Sequence, residues 1–401
     1  MKLSSILGTA FTTSLADEFL AGEAKAKEIC DDISVGKAKV FGYRFGGSQA
    51  KLWECTFDVT DESGETTERK TLVKIYNNSQ LTNFYRENTD RLDDVTNAYK
   101  IAGEMGVGAE IYKTYFEGSG ADVKLAIVVE FLSGADLAWK PLTKDDILAV
   151  AKLFGRNHRI PHSEAKMKHD FCYESWPWNT RAFGDHLNDP MWSRSRAFIE
   201  DYLSKNGIAG MTTLQEFYEY TVSQAEMAPS PAVFSHGDAW QANIYKLNDG
   251  SFRLNDYDNA NIGPRIWDLQ YFWIKLENSA EEKISIFEEY ITNYVNEFNS
   301  GSQSAKTNVA EIMNEFVCHL PWHILQTASM FHLFSEKLEN IKGWDALLLS
   351  AIDDIIKDPN SAKCVKAAEP KNEFFGKCDG EPKSNNVKIG EENSRRIVME
   401  L

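Results

Sequence analysis

The sequence predicts an α+β protein in which a small β-rich lobe precedes a large helical one. Between residues 36 and 76 apolar and polar residues alternate with the period of two that half-buried strands require. Beyond residue 132 the apolar residues recur at helical spacing, and nine of the ten tryptophans fall in that part. A chain of 401 residues is long for one core and is expected to divide. The expected organisation is a β-rich lobe with a leading helix over residues 1–132, a helical lobe over 133–360 and a polar tail from 361.

Taken in order, "DEFLAGEAKAKEICDDI" places an acidic first turn ahead of apolar residues at helical spacing, which predicts the leading helix. "KAKVFGYRF", "AKLWECTFDVT" and "KTLVKIY" read as strands, the last two separated by the polar turn "DESGETTE". "FYRENTDRLDDVTNAYKIAGEMG" reads as a helix ending at Gly106. "AEIYKTYFEG" and "VKLAIVVEFL" complete a five-strand meander around "GSGAD". "TKDDILAVAKLFGRNHRI" opens the helical part with a threonine cap and acidic first turn. Helical periodicity continues near 190–206, 211–226, 279–299, 306–340 and 343–357. From about 360 the chain is polar and close to charge-balanced, the composition of a disordered or loosely docked tail.

Composition narrows the function. A net charge of −17 argues against nucleic acid, whose phosphates need a basic face, and is compatible with a cationic small molecule. No apolar run approaches the ~18 residues of a membrane helix. The six cysteines are scattered without metal-ligand spacing, so reduced thiols in the cytoplasm are expected. The opening "MKLSSILGTAFTTSLADEF" has a short semi-apolar stretch, but Ser, Thr and Gly dilute it below a cleaved signal.

Chemistry concentrates between Phe234 and Ala260. "HGDAWQAN" sets Asn243 five residues after Asp238, a spacing that suits a loop whose carboxylate faces a hydroxyl and whose amide oxygen binds Mg²⁺. "FRLNDYDNA" then supplies Asp256 and Asp258 at the end of a strand-like stretch, one of them placed to complete the metal site. A catalytic-loop Asp, a catalytic-loop Asn and a later metal-binding Asp are the working parts of kinase phosphoryl transfer. Lys74 sits mid-strand among apolar neighbours, a costly place for an ammonium unless it reaches an anion such as the phosphates of ATP. Glu87 opens the following helix and is the expected ion-pair partner of Lys74. Gly46 and Gly47 lie in a turn whose amides can approach phosphate, and the backbone near Glu130 and Leu132 is expected to meet adenine.

The series of Gly46-Gly47, Lys74, Arg86-Glu87, "VEFLSGADL", "HGDAWQAN", "NDYDNA" and "WDLQYFW" resembles the choline/ethanolamine kinase and aminoglycoside phosphotransferase superfamily across roughly residues 15–355. That resemblance implies a bilobal protein-kinase-like fold. It implies Asp238 as catalytic base with His236 in support, Asn243 and Asp256 as Mg²⁺ ligands, and Lys74 with Glu87 as the phosphate-positioning pair. It further implies that His158 is structural and that Asp268 braces the catalytic loop. "HLPWHILQTA" resembles the late helix that contributes an aromatic to the choline pocket. Aromatic faces hold quaternary ammonium groups, so Trp240, Tyr271, Trp273 and Trp322, with Asp258, are the expected acceptor contacts. The resemblance departs after Asp268, where Gln270-Tyr271-Phe272 replaces Asn-His-Phe, and at Gly263 near an expected Asn. There the chain looks more like branches that phosphorylate other small alcohols. The expectation is an ATP- and Mg²⁺-dependent kinase of an amino alcohol such as choline or ethanolamine, with a role in phospholipid biosynthesis. A sugar, a homoserine-like compound, an aminoglycoside or a protein serine is the alternative acceptor, and a nucleotide-binding pseudokinase scaffold the alternative class.

Overall fold

Two periodicities meet in the first core. In the computed structural model, strand β2 (Lys51–Thr60) turns Trp53, Cys55 and Phe57 to one face, and β3 (Thr66–Tyr76) turns Val73 and Ile75 to the same face. Register makes the faces coincide, since Trp53 pairs with Val73 and Val73 with Val128. Helix α1, over residues 22–33, covers this face with Ala26, Ile29 and Cys30, one apolar stripe at helical spacing. Trp53 and Cys55 are wholly buried there. The structure describes residues 22–44, 50–76, 89–117, 124–137, 142–165, positions scattered over 196–204, and 211–228, 230–274, 280–301, 306–334 and 364–366.

The sheet also contains β1 (Val40–Arg44), β4 (Ile111–Glu117) and β5 (Lys124–Glu130). All five strands pair antiparallel in the order β1-β2-β3-β5-β4. This corrects the expected meander, because β5 inserts beside β3 and leaves β4 at the edge. Helix α2 (Thr89–Glu104) buries Val95, Ala98, Tyr99 and Ala102 and ends before Gly106, whose φ of 66° only glycine adopts without cost.

The chain divides into two compact units, each with its own core. The first runs to Leu137 and takes back Asn243–Asn259. Those residues form β8 (Ile244–Leu247) and β9 (Phe252–Leu254), which join β6 (Gly134–Asp136) in a three-stranded sheet. The turn between β8 and β9 is closed by Asp249, whose Oδ1 accepts the Ser251 amide, with Gly250 at φ 85°.

The second unit is mainly helical. Helix α3 (Lys144–His158) starts at Thr143 in a reciprocal capping box with Asp146, as the threonine and acidic first turn predict. It packs on α6 (Ala280–Asn299), which buries Phe287, Tyr290, Ile291, Tyr294 and Phe298. Helix α4 (Leu214–Met227) packs on α7 (Val309–Phe334). A two-stranded ribbon of β7 (Ala232–Ser235) and β10 (Asn261–Pro264) leads into α5 (Arg265–Ile274). Among the described residues no helix is long and apolar enough to cross a membrane.

The cysteines overturn the expectation of reduced thiols. Cys30 and Cys55 form a disulfide between α1 and β2, and Cys318 and Cys364 form one between α7 and residues 364–366. Their separations of 25 and 46 residues gave no sign of pairing, because pairing follows proximity in the fold.

Candidate active site

In the first unit the period of two places Lys74 and Tyr76 on the sheet face opposite α1. Lys74 is 6% exposed. Its ammonium lies 2.5 Å from Asp256 Oδ1 and 2.8 Å from Asp258 Oδ2. The Tyr76 hydroxyl donates to Asp258 Oδ1 at 2.7 Å, and Tyr99, from α2, brings its hydroxyl to 3.5 Å. Burial alone would depress the lysine's pKa, but the two carboxylates outweigh it and hold it well above the ordinary value. Burial and the Asp256 charge push Asp258 up, against the opposing pull of Lys74 and Tyr76. The sequence predicted Glu87 as the lysine's partner. That residue lies outside the described residues, and the partners found are Asp256 and Asp258. Asp258, expected to meet the acceptor, is instead 4% exposed and bonded to Lys74 and Tyr76.

Asp256 differs from its neighbour. Its side chain is 32% exposed, and its backbone adopts φ 66°, a left-handed conformation that costs a non-glycine residue on the order of 1 kcal/mol or more. Such strain concentrates where a side chain must be aimed. Asn243 closes a 3-10 turn over Gln241–Asn243, and its carbonyl accepts the Asn255 amide at 2.8 Å, next to Asp256. An amide oxygen and a partly open carboxylate are hard donors of the kind Mg²⁺ takes when phosphates supply further ligands. The donor set therefore fits that ion. Among the described residues no group of three or more His, Cys, Asp or Glu forms a metal cage.

In the second unit Asp268, in the first turn of α5, is wholly buried and organises the turn after β7. Its Oδ2 accepts the His236 amide at 2.7 Å and lies 3.0 Å from His158 Nε2, while Oδ1 accepts the Gly237 amide at 3.0 Å. His158 Nδ1 lies 3.1 Å from the Tyr294 hydroxyl. Burial works to raise the Asp268 pKa, but the His158 hydrogen bond, nearby His236 and its amide overcome it and hold the carboxyl low. Gly237 takes φ 77°, and the Asp238 amide donates to His236 Nδ1 at 3.3 Å. Asp238 emerges half-buried from this turn. His236 is wholly buried and engages backbone, so it positions Asp238 rather than meeting a substrate.

Around Asp238, Trp240 is 39% exposed. The Tyr271 carbonyl accepts from Gln241 Nε2 at 3.2 Å. Burial and the carboxylates of Asp238 and Asp268 push the Tyr271 hydroxyl's pKa up. Trp273 and Trp322 stand on α5 and α7, but their side chains, like Gly46 and Gly47, lie outside the described residues. At the end of β5 the Glu130 amide is taken by the Glu110 carbonyl, and the Phe131 amide by that of Lys70. The Glu130 side chain turns to Arg253, 3.4 Å away. Leu132 is the next amide along. Tyr76, Tyr99 and Gln241 escaped the sequence reading. Of these only Tyr76, two residues from Lys74 on one strand, carried a signal.

The first unit thus holds a buried lysine between two aspartates, and the second an aspartate held out on a braced turn. The model for the choline/ethanolamine kinase family matches residues 45–341, and the chain belongs to that family. The strands and helices bear out the α+β class that the sequence predicted. Solved structures give distant likenesses. An ethanolamine kinase from Plasmodium vivax is 14% identical with a TM-score of 0.48, over 79% of this chain and 83% of that one. The choline kinase LicA from Streptococcus pneumoniae is 13% identical with a TM-score of 0.46, over 83% and 99%. A spectinomycin phosphotransferase, solved with ADP and spectinomycin, is 15% identical with a TM-score of 0.47, over 84% and 95%. No curated protein matches the chain in sequence.

Proposed function

We propose that the protein transfers the γ-phosphoryl group of ATP to the hydroxyl of an amino alcohol such as choline or ethanolamine. The observation that carries the transfer is the turn at Ser235–Asp238, which Asp268 holds by two amide hydrogen bonds. Building a buried carboxylate to brace a glycine turn makes sense where the next residue's aim matters. Asp238 orients the acceptor hydroxyl and takes its proton. The acceptor oxygen then bonds to the γ-phosphorus as the bond to the β–γ bridging oxygen breaks, and ADP leaves with that electron pair.

Lys74 offers a fixed positive charge to the α- and β-phosphates, and Asp256 and Asp258 keep it in place. Asn243 and Asp256 would hold Mg²⁺, which when bound neutralises charge on the phosphates. Gly46 and Gly47 are proposed to cover the phosphates and Glu87 to reach Lys74 in the nucleotide-bound state. The Leu132 amide is the better candidate for adenine, since that of Glu130 is spent within the sheet. Trp240 and Tyr271, with Trp273 and Trp322, are proposed to line the acceptor site. The cytoplasmic placement expected from scattered thiols loses its ground now that four cysteines are paired.

Coupled-assay ADP release over a panel of small alcohols tests the reading. Turnover of choline or ethanolamine supports it. Turnover of a sugar, an aminoglycoside, a homoserine-like compound or a serine peptide moves the protein to another acceptor class. ATP binding with no turnover at all would make it a scaffold.

A further inference from the structure

Helix α7 carries an interruption and an orphan side by side. Pro321 stands inside the helix, where it supplies no amide to the preceding turn. Two residues on, His323 is 1% exposed, and neither of its ring nitrogens has a hydrogen-bond partner among the described residues. Buried polar groups are almost always paired, and an orphaned pair of ring nitrogens points to a ligand or water. Burial pushes the His323 pKa down to about 3, so the ring is neutral and offers one donor and one acceptor.

Its surroundings tie the orphan to the proposed catalytic turn. The Tyr271 ring meets it edge-on with centroids 5.5 Å apart. Tyr271 is held through its carbonyl by Gln241, three residues after Asp238, and its hydroxyl feels the Asp238 carboxylate. We propose that His323 recognises the phosphate acceptor, hydrogen-bonding an N–H or O–H of that molecule other than the reacting hydroxyl, directly or through one water. The inference rests on the amino-alcohol reading above and narrows it. An acceptor whose nitrogen still bears hydrogen satisfies the imidazole, whereas a trimethylated nitrogen leaves it orphaned.

The series ethanolamine, N-methylethanolamine, N,N-dimethylethanolamine and choline tests this, because only choline lacks an N–H. In the wild-type protein, kcat/KM is expected to drop about tenfold or more at the step to choline. His323→Phe, which fills the same space without hydrogen-bonding, is expected to flatten that step by raising KM for the first three, with KM for ATP unchanged. His323→Gln is expected to restore part of it. Equal use of all four acceptors by the wild type, or a step that persists in His323→Phe, overturns the inference and leaves the phosphotransfer reading standing. Asp238-dependent turnover confined to acceptors outside the series, or turnover of none, overturns both.

A separate observation concerns the compartment. Among the described residues two disulfides join buried or partly buried cysteines, with Cα atoms 5.8 Å apart for Cys30–Cys55 and 4.9 Å for Cys318–Cys364. Cys30, Cys55 and Cys318 are each at most 1% exposed. Around Cys364 the Asn314 side chain bonds both the amide and the carbonyl of Val365, so the second bridge is seated in a built contact. Reducing compartments keep such thiols reduced. We infer that this chain folds and acts in an oxidising compartment. Alkylating native-source protein in denaturant, before and after reduction, reads the answer by peptide mass. Cys30, Cys55, Cys318 and Cys364 are expected to label only after reduction. Full labelling of the four without a reductant overturns the inference.

Discussion

Asp258 in the first unit and Asp268 in the second are both buried aspartates, yet their environments drive them in opposite directions. Asp258 must share Lys74 with Asp256 and takes the phenol hydroxyls of Tyr76 and Tyr99, and burial and like charge raise its pKa. Asp268 shares with no other carboxylate in its described bonds. It collects two backbone amides and an imidazole, and these outweigh burial. In the proposed transfer the first arrangement would exchange partners as phosphates arrive. The second is a fixed brace. A buried carboxylate is therefore read from what donates to it, not from its depth.

This contrast can be broken by substitution. Asp268→Ala strands the buried His236 amide, the part-buried Gly237 amide and His158, and is expected to cost about 3–5 kcal/mol in urea unfolding. Asp258→Asn keeps a hydrogen-bonding group and leaves Lys74 with Asp256, so a loss of about 1–2 kcal/mol is expected. A larger loss at Asp258 than at Asp268 would reverse the assignment of switch and brace. Asp258→Asn is also expected to alter KM for ATP more than KM for the acceptor, which steady-state kinetics would show.

Acid should act through the second unit. Burial lowers His319 to about 4 and His323 to about 3, below the ordinary 6.5. Their contribution is complete above pH 6.5 and is lost as pH falls toward those folded values, because the unfolded chain binds the protons first. Asp258, raised to about 6, works the other way over part of that range, since its folded form binds the extra proton. With two groups against one, stability is expected to fall by about 1 kcal/mol per pH unit between pH 6 and 5. Urea midpoints at pH 7, 6 and 5 check the sign, and His323→Phe should make the fall shallower.

Much of the candidate site is proposed from the sequence alone because its parts are local. Asp238 and Asn243 share one loop, Asp256 follows one strand, and Lys74 stands out in an apolar strand. What escaped was long-range. The partners of Lys74 found in the structure lie 182 and 184 residues away, beyond the reach of local sequence, whereas the glutamate expected from it lies outside the described residues. The insertion of β5 between β3 and β4, the cysteine pairs and the orphaned His323 likewise depend on what the fold brings together. Asp258 looked like an acceptor contact because spacing cannot tell which of two neighbouring aspartates faces inward.

The central claim is that the braced turn presents Asp238 as the proton acceptor in phosphoryl transfer. Its most direct measurement is ADP release by Asp238→Asn beside the wild type, with ATP affinity measured on the same samples. Turnover is expected to fall by about 10²- to 10⁴-fold while ATP binds with unchanged affinity. Near-wild-type turnover in Asp238→Asn would contradict the claim.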